Sequence, residues 1–385
     1  MKILDYDVVV CGAGVAGVAA ATAAARQGAR TAVIEKQCVL GGLATSGLIY
    51  IFLPLCNGKG TQITRGLADE MFRRSPRYSP FTIPAAWENP ADGSPPQNAR
   101  CCCCFSPAGF SLTLDEMLSE AGGDLWLDTR ITGVAVDENR ISTVQVVNDS
   151  GFNTLRAKCF VDATGRAAVA AMAGAKVVSE KNYVTPWILE MAEDPSFFHF
   201  SGPLHIRPFG KTTPEYEVAP GYGGREITDF CRREWAMIRE YYRSLSPEEA
   251  LKNYPVHLPG MPQLRKIGRI EALYTLSDAD HGRHFDTSVG VAADWNRPDP
   301  GWEIPYEALI PKDLKGLLTA GRCIGATGYA WEICRVIPAA ALSGEAAGTA
   351  AALSVAANIT PEELSVKVLR DELEKKGARF EMASC

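Results

Sequence analysis

The hydrophobic pattern opens with an apolar run at 7–11, an Ala-rich stretch at 15–26 and a second apolar run at 29–34. Short apolar runs predict buried strands, and Ala is the strongest helix former. Gly28 suits the residue just past a helix. The segment therefore predicts strand, helix, strand: a β-α-β unit with a parallel sheet. Between 76 and 107 Pro, Ser and Asn accumulate without a period, which predicts loops and short strands. Residues 111–121 predict a helix, with Ser111 as its cap or Asp115 and Glu116 in its early turns. Residues 125–136 and 140–147 read as a strand pair continuing through 155–161, which Asp162–Gly165 ends. A second block, 176–310, is dense in Pro and aromatics and holds one clear helix near 226–245. Residues 317–320 predict a short buried strand, 338–356 an Ala-rich helix, and 361–376 an amphipathic helix.

This order predicts an α/β fold. A Rossmann-like nucleotide domain, with a parallel sheet and an antiparallel β-meander, carries an inserted α+β cap domain. The expected nucleotide domain is discontinuous, over 1–45, 111–175 and 312–385. The cap takes 46–110 and 176–311.

Composition narrows the setting. The chain has 385 residues, 46% hydrophobic and 22% charged, with a net charge of -6. The acidic balance argues against nucleic acid and anionic membrane as partners. The N-terminus offers no export signal, and the Ala-rich 339–358 stretch contains Glu345, so it reads as a packed helix. Twelve cysteines in a chain of this size, without an export signal, predict reduced thiols and a cytoplasmic protein.

The strongest local motif is Gly12-Ala13-Gly14-Val15-Ala16-Gly17, placed between an apolar strand and a helix. Gly12 allows the tight turn, Gly14 lets a pyrophosphate approach the backbone, and Gly17 lets helix and strand pack closely. The helix N-terminus then faces the phosphates with free N–H groups. Glu35 ends the second strand, where a carboxylate accepts ribose hydroxyls and repels a 2′-phosphate. The fingerprint alone does not separate NAD from FAD. Gly41-Gly42, followed by Leu43-Ala44-Thr45, would let the backbone run beside a longer dinucleotide, although a plain turn explains the same residues. Two later segments favour the flavin: 160–165, a strand ending in Asp162 and Gly165, and 316–322. The helix after Pro338 then directs its N-terminus at whatever lies there, a means of stabilising negative charge on a flavin.

Taken together, GAGVAG, EKQCVLGGLATSG, FVDATG and LLTAGRCIGATGYAWEICRVIPAAALSGEAAGTAAA resemble the FAD-dependent oxidoreductases of the glutathione-reductase superfamily. Within it, the chain resembles a branch similar to fumarate reductase flavoproteins, with non-covalent FAD. The resemblance is strong at both ends and weak across 50–104 and 177–260, where a substrate would be chosen. It implies FAD contacts at Gly12, Gly14, Val15, Ala16 and Gly17, at Glu35 and Lys36, and along Gly41, Gly42, Leu43, Ala44 and Thr45. It further implies contacts at Ile131, at Asp162, Ala163, Thr164 and Gly165, at Gly321 and Arg322, and at Arg335, Val336 and Pro338. Two places depart from the family pattern. Arg166-Ala167-Ala168 stands where relatives often continue with an acid and a glycine, and Gly328-Tyr329 stands where they often have a His.

Candidates for the chemistry itself are weaker. Arg265 could clamp a substrate carboxylate, or could form an ion pair between cap and flavin domain; Arg269 shares both readings. Arg335 would meet the flavin, and Tyr329 could act as an acid in place of the missing His. His284 is a further proton-donor candidate, although it and His281 lie in a polar turn. Cys334 could lie near the flavin or simply pack. Four consecutive cysteines at 101–104 alternate faces on a strand, so they make a poor metal cage and read as packing; no metal is expected. With no C-x4-C pair after Cys38, a redox disulfide is unsupported. No second glycine fingerprint follows, so electrons are expected to pass to the substrate or a separate carrier. The expected reaction is hydride transfer between flavin and a small polar or carboxylated molecule. The alternative is a thiazole-synthase-like biosynthetic or RNA-modifying protein that uses the dinucleotide as substrate or scaffold; an NAD-dependent dehydrogenase is a weaker third.

Overall fold

The computed structural model describes residues 2–59, 61–83, 102–192, 204–209, 217–218, 223–298 and 300–382. A seven-stranded sheet organises it, built from β1 (Lys2–Cys11), β2 (Thr31–Ile34), β3 (Asp124–Trp126), β4 (Arg130–Asp137), β5 (Arg140–Asn148), β6 (Gly151–Asp162) and β7 (Leu317–Thr319). The order is β3-β2-β1-β6-β5-β4, with β7 also beside β6. β1 runs parallel to β2 on one side and to β6 on the other, from Lys2 opposite Asn153 to Cys11 opposite Asp162. The first half of β6 pairs antiparallel with β5, whereas Phe160–Asp162 pairs parallel with β7. One long strand thus joins the meander to the parallel sheet, and its last residues deliver the chain to the ends of β1 and β7.

Alternation along β1 explains why the sheet is covered on both faces. Val8 and Val10 enter the core beneath the Val15–Arg26 and Ile337–Ala357 helices. Val9 and Cys11 enter a second core shared with Val144, Leu155 and Ala170. The two helices cross almost in backbone contact. A Cβ on Gly344 would lie 2.9 Å from the Ala19 Cβ, and one on Gly348 would lie 2.6 Å from the Ala20 carbonyl carbon. Small residues on both helices permit this approach, and dense packing returns the stability. The Ala-rich segment is accordingly buried over 339–352. Among the described residues no single helix is long and apolar enough to cross a membrane.

A three-stranded antiparallel sheet (Leu204–Pro208, Trp187–Met191, Tyr254–His257) and the Gly224–Ser244 helix form much of the later block. Apolar residues of the earlier block, including Tyr50, Phe52, Leu67 and Phe72, share the core of the two crossing helices.

Several boundaries differ from the sequence expectation. The helix expected at 111–121 begins one turn earlier, as Pro107–Ala121, because Ser106 accepts the Gly109 N–H and Pro occupies the first turn. Ser111 instead accepts the Leu40 N–H at 3.0 Å. The stretch 125–136 is two strands, since Asp128 adopts a left-handed conformation between β3 and β4. Only β4 joins the meander; β3 extends the parallel edge. The C-terminal segment divides into a 3-10 turn, Pro361–Glu363, and a helix, Val366–Lys375. Cys103–Cys104 forms a short strand against Ile51–Phe52, while Cys101 lies outside the described residues.

Candidate cofactor and active site

The site grows from the end of β1. Gly12 takes φ +99°, and a Cβ there would press within 2.7 Å of the Ala163 carbonyl oxygen, so only glycine turns the chain here. Gly17 lies beneath the loop, where a Cβ would intrude on the Gly12 carbonyl, 2.9 Å from its carbon. Gly14 is different. Its backbone (φ -65°, ψ 178°) suits any residue, and a Cβ would meet nothing within 4 Å. The space beside it is the cavity, which a ligand can fill up to the bare backbone.

Gly14 opens the Val15–Arg26 helix without a side-chain cap, and no acid stands in the first turn. The helix therefore keeps its N–H donors and positive end for a ligand. Gly41 and Gly42, both at positive φ, fold a second turn against this loop. The Gly41 N–H donates to the Ala13 carbonyl at 2.8 Å. Glu35, buried at the end of β2, does more than face the cavity. Its carboxylate accepts the Ala13 N–H at 2.8 Å and the Gln37 N–H at 3.0 Å, bracing the glycine loop.

These elements enclose a cavity of about 350 Å³, within the usual range of ligand sites. Its wall runs from Glu35, Lys36, Thr129 and Ile131 at one end, past Gly12, Gly14, Val15, Ala16, Gly41, Gly42, Leu43 and Ala44. It continues along Ala163, Thr164 and Gly165 to Gly321, Arg322, Arg335, Ile337 and Ala340. Gln37, Arg130, Arg166, Met172 and Met261 also line it. None of these five stands in the glycine motif, and Met261 arrives from the later block, whose Gly260 N–H donates to the Ser46 carbonyl.

Five expected contacts, Gly17, Thr45, Asp162, Val336 and Pro338, do not line the cavity. Gly17 is spent on loop packing. The Thr45 hydroxyl donates to the Leu40 carbonyl. Val336 occupies the position before the Ile337–Ala357 helix without a side-chain bond to it, and Pro338 sits in its first turn. Asp162 also turns away: its buried carboxylate accepts the N–H groups of Thr164, Val169 and Ala170 and so caps the Ala168–Met172 helix. The Ile337–Ala357 helix, like the first, has no side-chain cap and no acid in its first turn, and Ile337 and Ala340 face the cavity. Two uncapped helix ends and a bare Gly14 on one wall fit an extended dinucleotide.

The candidates for chemistry separate clearly. Arg335 lines the cavity, and Glu332 holds it, Nε to Oε2 at 2.7 Å. Glu332 in turn pairs with Lys266 at 3.2 Å. Arg322 reaches from the cavity to the Leu264 carbonyl, and burial pushes its pKa down to about 10. Arg265 stands behind the wall, donating to the Gln263 carbonyl. Burial first, then repulsion from Arg335, lowers it to about 9. Arg269 is buried, bonded to the Ile270 carbonyl, with its guanidinium over Trp331.

Tyr329 is not on the cavity. Its hydroxyl donates to Asp294 at 2.8 Å and Arg297 covers its ring. Burial, then the Asp294 bond, raises it to about 12, so its proton is committed elsewhere. His284 is exposed and pairs with Glu303 at 3.1 Å, and His281 lies against Trp302. Cys334 is fully buried, its thiol pushed up to about 12 by burial. Among the described residues no group of three or more His, Cys, Asp and Glu side chains could hold a metal.

A family profile described as FAD dependent oxidoreductase matches residues 7–195 and 213–373. The chain belongs to this family. It is an FAD-dependent oxidoreductase. Solved structures agree on the fold. A geranylgeranyl bacteriochlorophyll reductase-like protein from Thermoplasma acidophilum is similar, at 15% identity and TM-score 0.52, over 98% of this chain and 85% of that one. CabE, an aromatic hydroxylase from angucycline biosynthesis, has 13% identity and TM-score 0.52 over 99% and 70%. A flavin-dependent brominase has 14% identity and TM-score 0.50 over 97% and 83%. No curated protein matches the chain.

Proposed function

We propose that this oxidoreductase transfers hydride between flavin N5 and a small polar or carboxylated organic molecule. One observation carries the reading: Arg335, Arg322 and the uncapped start of the Ile337–Ala357 helix meet at one end of the FAD cavity. When bound there, FAD supplies the hydride acceptor or donor. The first-turn N–H groups of the helix stabilise negative charge at that end. Arg335, kept in place by Glu332, presents a cation to an anionic group. Met261 and Ile337 exclude water along the wall, which strengthens each of these interactions.

We further propose that residues 46–110 and 176–311 shape the substrate side, with 1–45, 111–175 and 312–385 holding FAD. Arg265, behind Arg335, then acts by supporting the cationic end. The four quoted motif stretches support placement in the branch similar to fumarate reductase flavoproteins. The single glycine fingerprint supports exchange of electrons with the substrate or a separate carrier. The acidic balance and cysteine usage support a cytoplasmic enzyme without nucleic-acid or membrane partners. The test is the visible spectrum of the purified protein, followed by an anaerobic screen of organic acids and other small polar metabolites for flavin bleaching. A yellow protein bleached by one such class is expected. Flavin that no candidate or chemical reductant bleaches would overturn the reading.

A further inference from the structure

One segment of the later block, 263–267, backs the end of the cavity where Arg322 and Arg335 stand. Gln263 anchors it, donating to the Trp187 carbonyl at 3.0 Å and accepting the Trp187 N–H at 2.7 Å. The Leu264 carbonyl accepts Arg322. The next two residues then meet different acids. Lys266 pairs with Glu332, the partner of Arg335, at 3.2 Å and with Glu180 at 2.8 Å. Glu180 also accepts the Thr327 hydroxyl at 2.9 Å and the Gly328 N–H at 3.0 Å. Burial would raise Glu332 and Glu180, but their cations and donors outweigh it and hold both below the usual carboxylate range. Both therefore keep their charge near neutral pH.

Arg265 meets an acid of another kind. On the Gly224–Ser244 helix the buried residues Phe230, Glu234 and Ile238 are four apart, which places them on one face. Phe230 packs with Leu264 and Ile267, so this face lies against the segment that carries Arg265. Glu234 is only 3% exposed, yet its Oε1 has no hydrogen-bond partner among the described residues. Arg265 is the cation that acts on it, and the Cys231 thiol, on the preceding turn of the same helix, is the other titratable group that feels it. A buried carboxyl with an unbonded oxygen is costly as an anion and much less so as an acid. Burial accordingly pushes Glu234 up to about 8, and Arg265 opposes this only in part. Arg265 in turn feels Arg335, Arg322 and Glu332, so it stands between Glu234 and the cavity wall.

We infer that Glu234 is a positioning residue for the flavin chemistry: by holding or releasing one proton it sets, through Arg265, how much positive charge backs Arg335. The inference rests on the FAD reading of the cavity. Reduction leaves bound flavin more negative, so a neutral Glu234 favours the reduced cofactor and an ionised one opposes it.

The test uses the full chain and two readouts. Infrared difference spectra of the apo-protein between about pH 6 and about pH 9 should contain a carboxylic-acid C=O band, lost as pH rises, that Glu234→Gln lacks. The contribution of Glu345 remains in both proteins. The potential of bound FAD, read against a reference dye, should agree in wild type and Glu234→Gln near the lower pH. It should fall more steeply with pH in the wild type, until the reduced-to-oxidised ratios differ by roughly three- to tenfold. Arg265 is present in both, so its own titration does not create the difference. Should the amide variant misfold, Glu234→Met removes the acid at similar volume and should give the same shallow slope. Parallel potential curves, or an unchanged infrared band, overturn the role of Glu234 while FAD binding stands. A wild type that binds no flavin overturns the cofactor reading and the coupling with it.

Discussion

Two glycines three residues apart should fail in opposite ways when each becomes alanine. At Gly14 the backbone is already in a region any residue adopts, and the added Cβ meets no atom within 4 Å. Restricting the unfolded chain is worth about 0.4–1 kcal/mol, and losing glycine at a helix cap costs a similar amount. The stability of the apo-protein should therefore change by less than about 0.5 kcal/mol. The methyl group, however, stands where a diphosphate must reach the backbone. Losing one charge-assisted hydrogen bond costs about 1.5–3 kcal/mol, so FAD affinity should fall roughly ten- to a hundredfold. At Gly17 the Cβ would intrude on the Gly12 carbonyl, with its carbon only 2.9 Å away. The obstacle is backbone, so the helix itself must move, at a cost of about 3 kcal/mol or more. Urea unfolding of the apo-protein measures the first quantity, and quenching of flavin fluorescence on titration measures the second. The reasoning is refuted if Gly14→Ala unfolds as easily as Gly17→Ala, or if it folds normally and binds FAD at wild-type affinity.

Other consequences follow from buried groups. Glu345, which accepts the Leu67 N–H at 2.7 Å, has its pKa raised by burial from 4.5 to about 7. The folded state then holds the proton more tightly than the unfolded chain, so stability falls as pH rises from about 4.5 to about 7, by up to about 3 kcal/mol. Glu345→Gln should flatten that decline in unfolding free energy between pH 5 and pH 8, and an identical slope would count against it. Tyr329→Phe removes a donor to Asp294, costing about 1 kcal/mol of stability, but should leave FAD affinity and the rate of flavin reduction by substrate unchanged. A tenfold slower reduction would restore Tyr329 as the proton donor. Gly348→Ala places a Cβ 2.6 Å from the Ala20 carbonyl carbon and should lower stability by about 2 kcal/mol or more. An unaltered urea midpoint would show that the two helices can separate without cost.

The sequence by itself determined the parts whose signal is local. A strand, three spaced glycines and an Ala-rich helix specify their own turn, because backbone freedom and helix propensity act within a few residues. Glu35 was legible for the same reason, as was the second helix behind Pro338. Only the tertiary structure decided which groups share the cavity. Arg166, Arg130 and Met261 lie far apart in the chain, and β6 brings Arg166 to the cavity that Gly14 also lines. Asp162 looked like a cofactor contact in sequence, yet its lone pairs are taken by the Thr164 N–H and by two backbone N–H groups of the next helix. Tyr329 was placed beside the flavin by pattern, and a hydrogen bond to Asp294 directs its hydroxyl elsewhere. A side chain's direction depends on partners distant in sequence, and no local pattern encodes them.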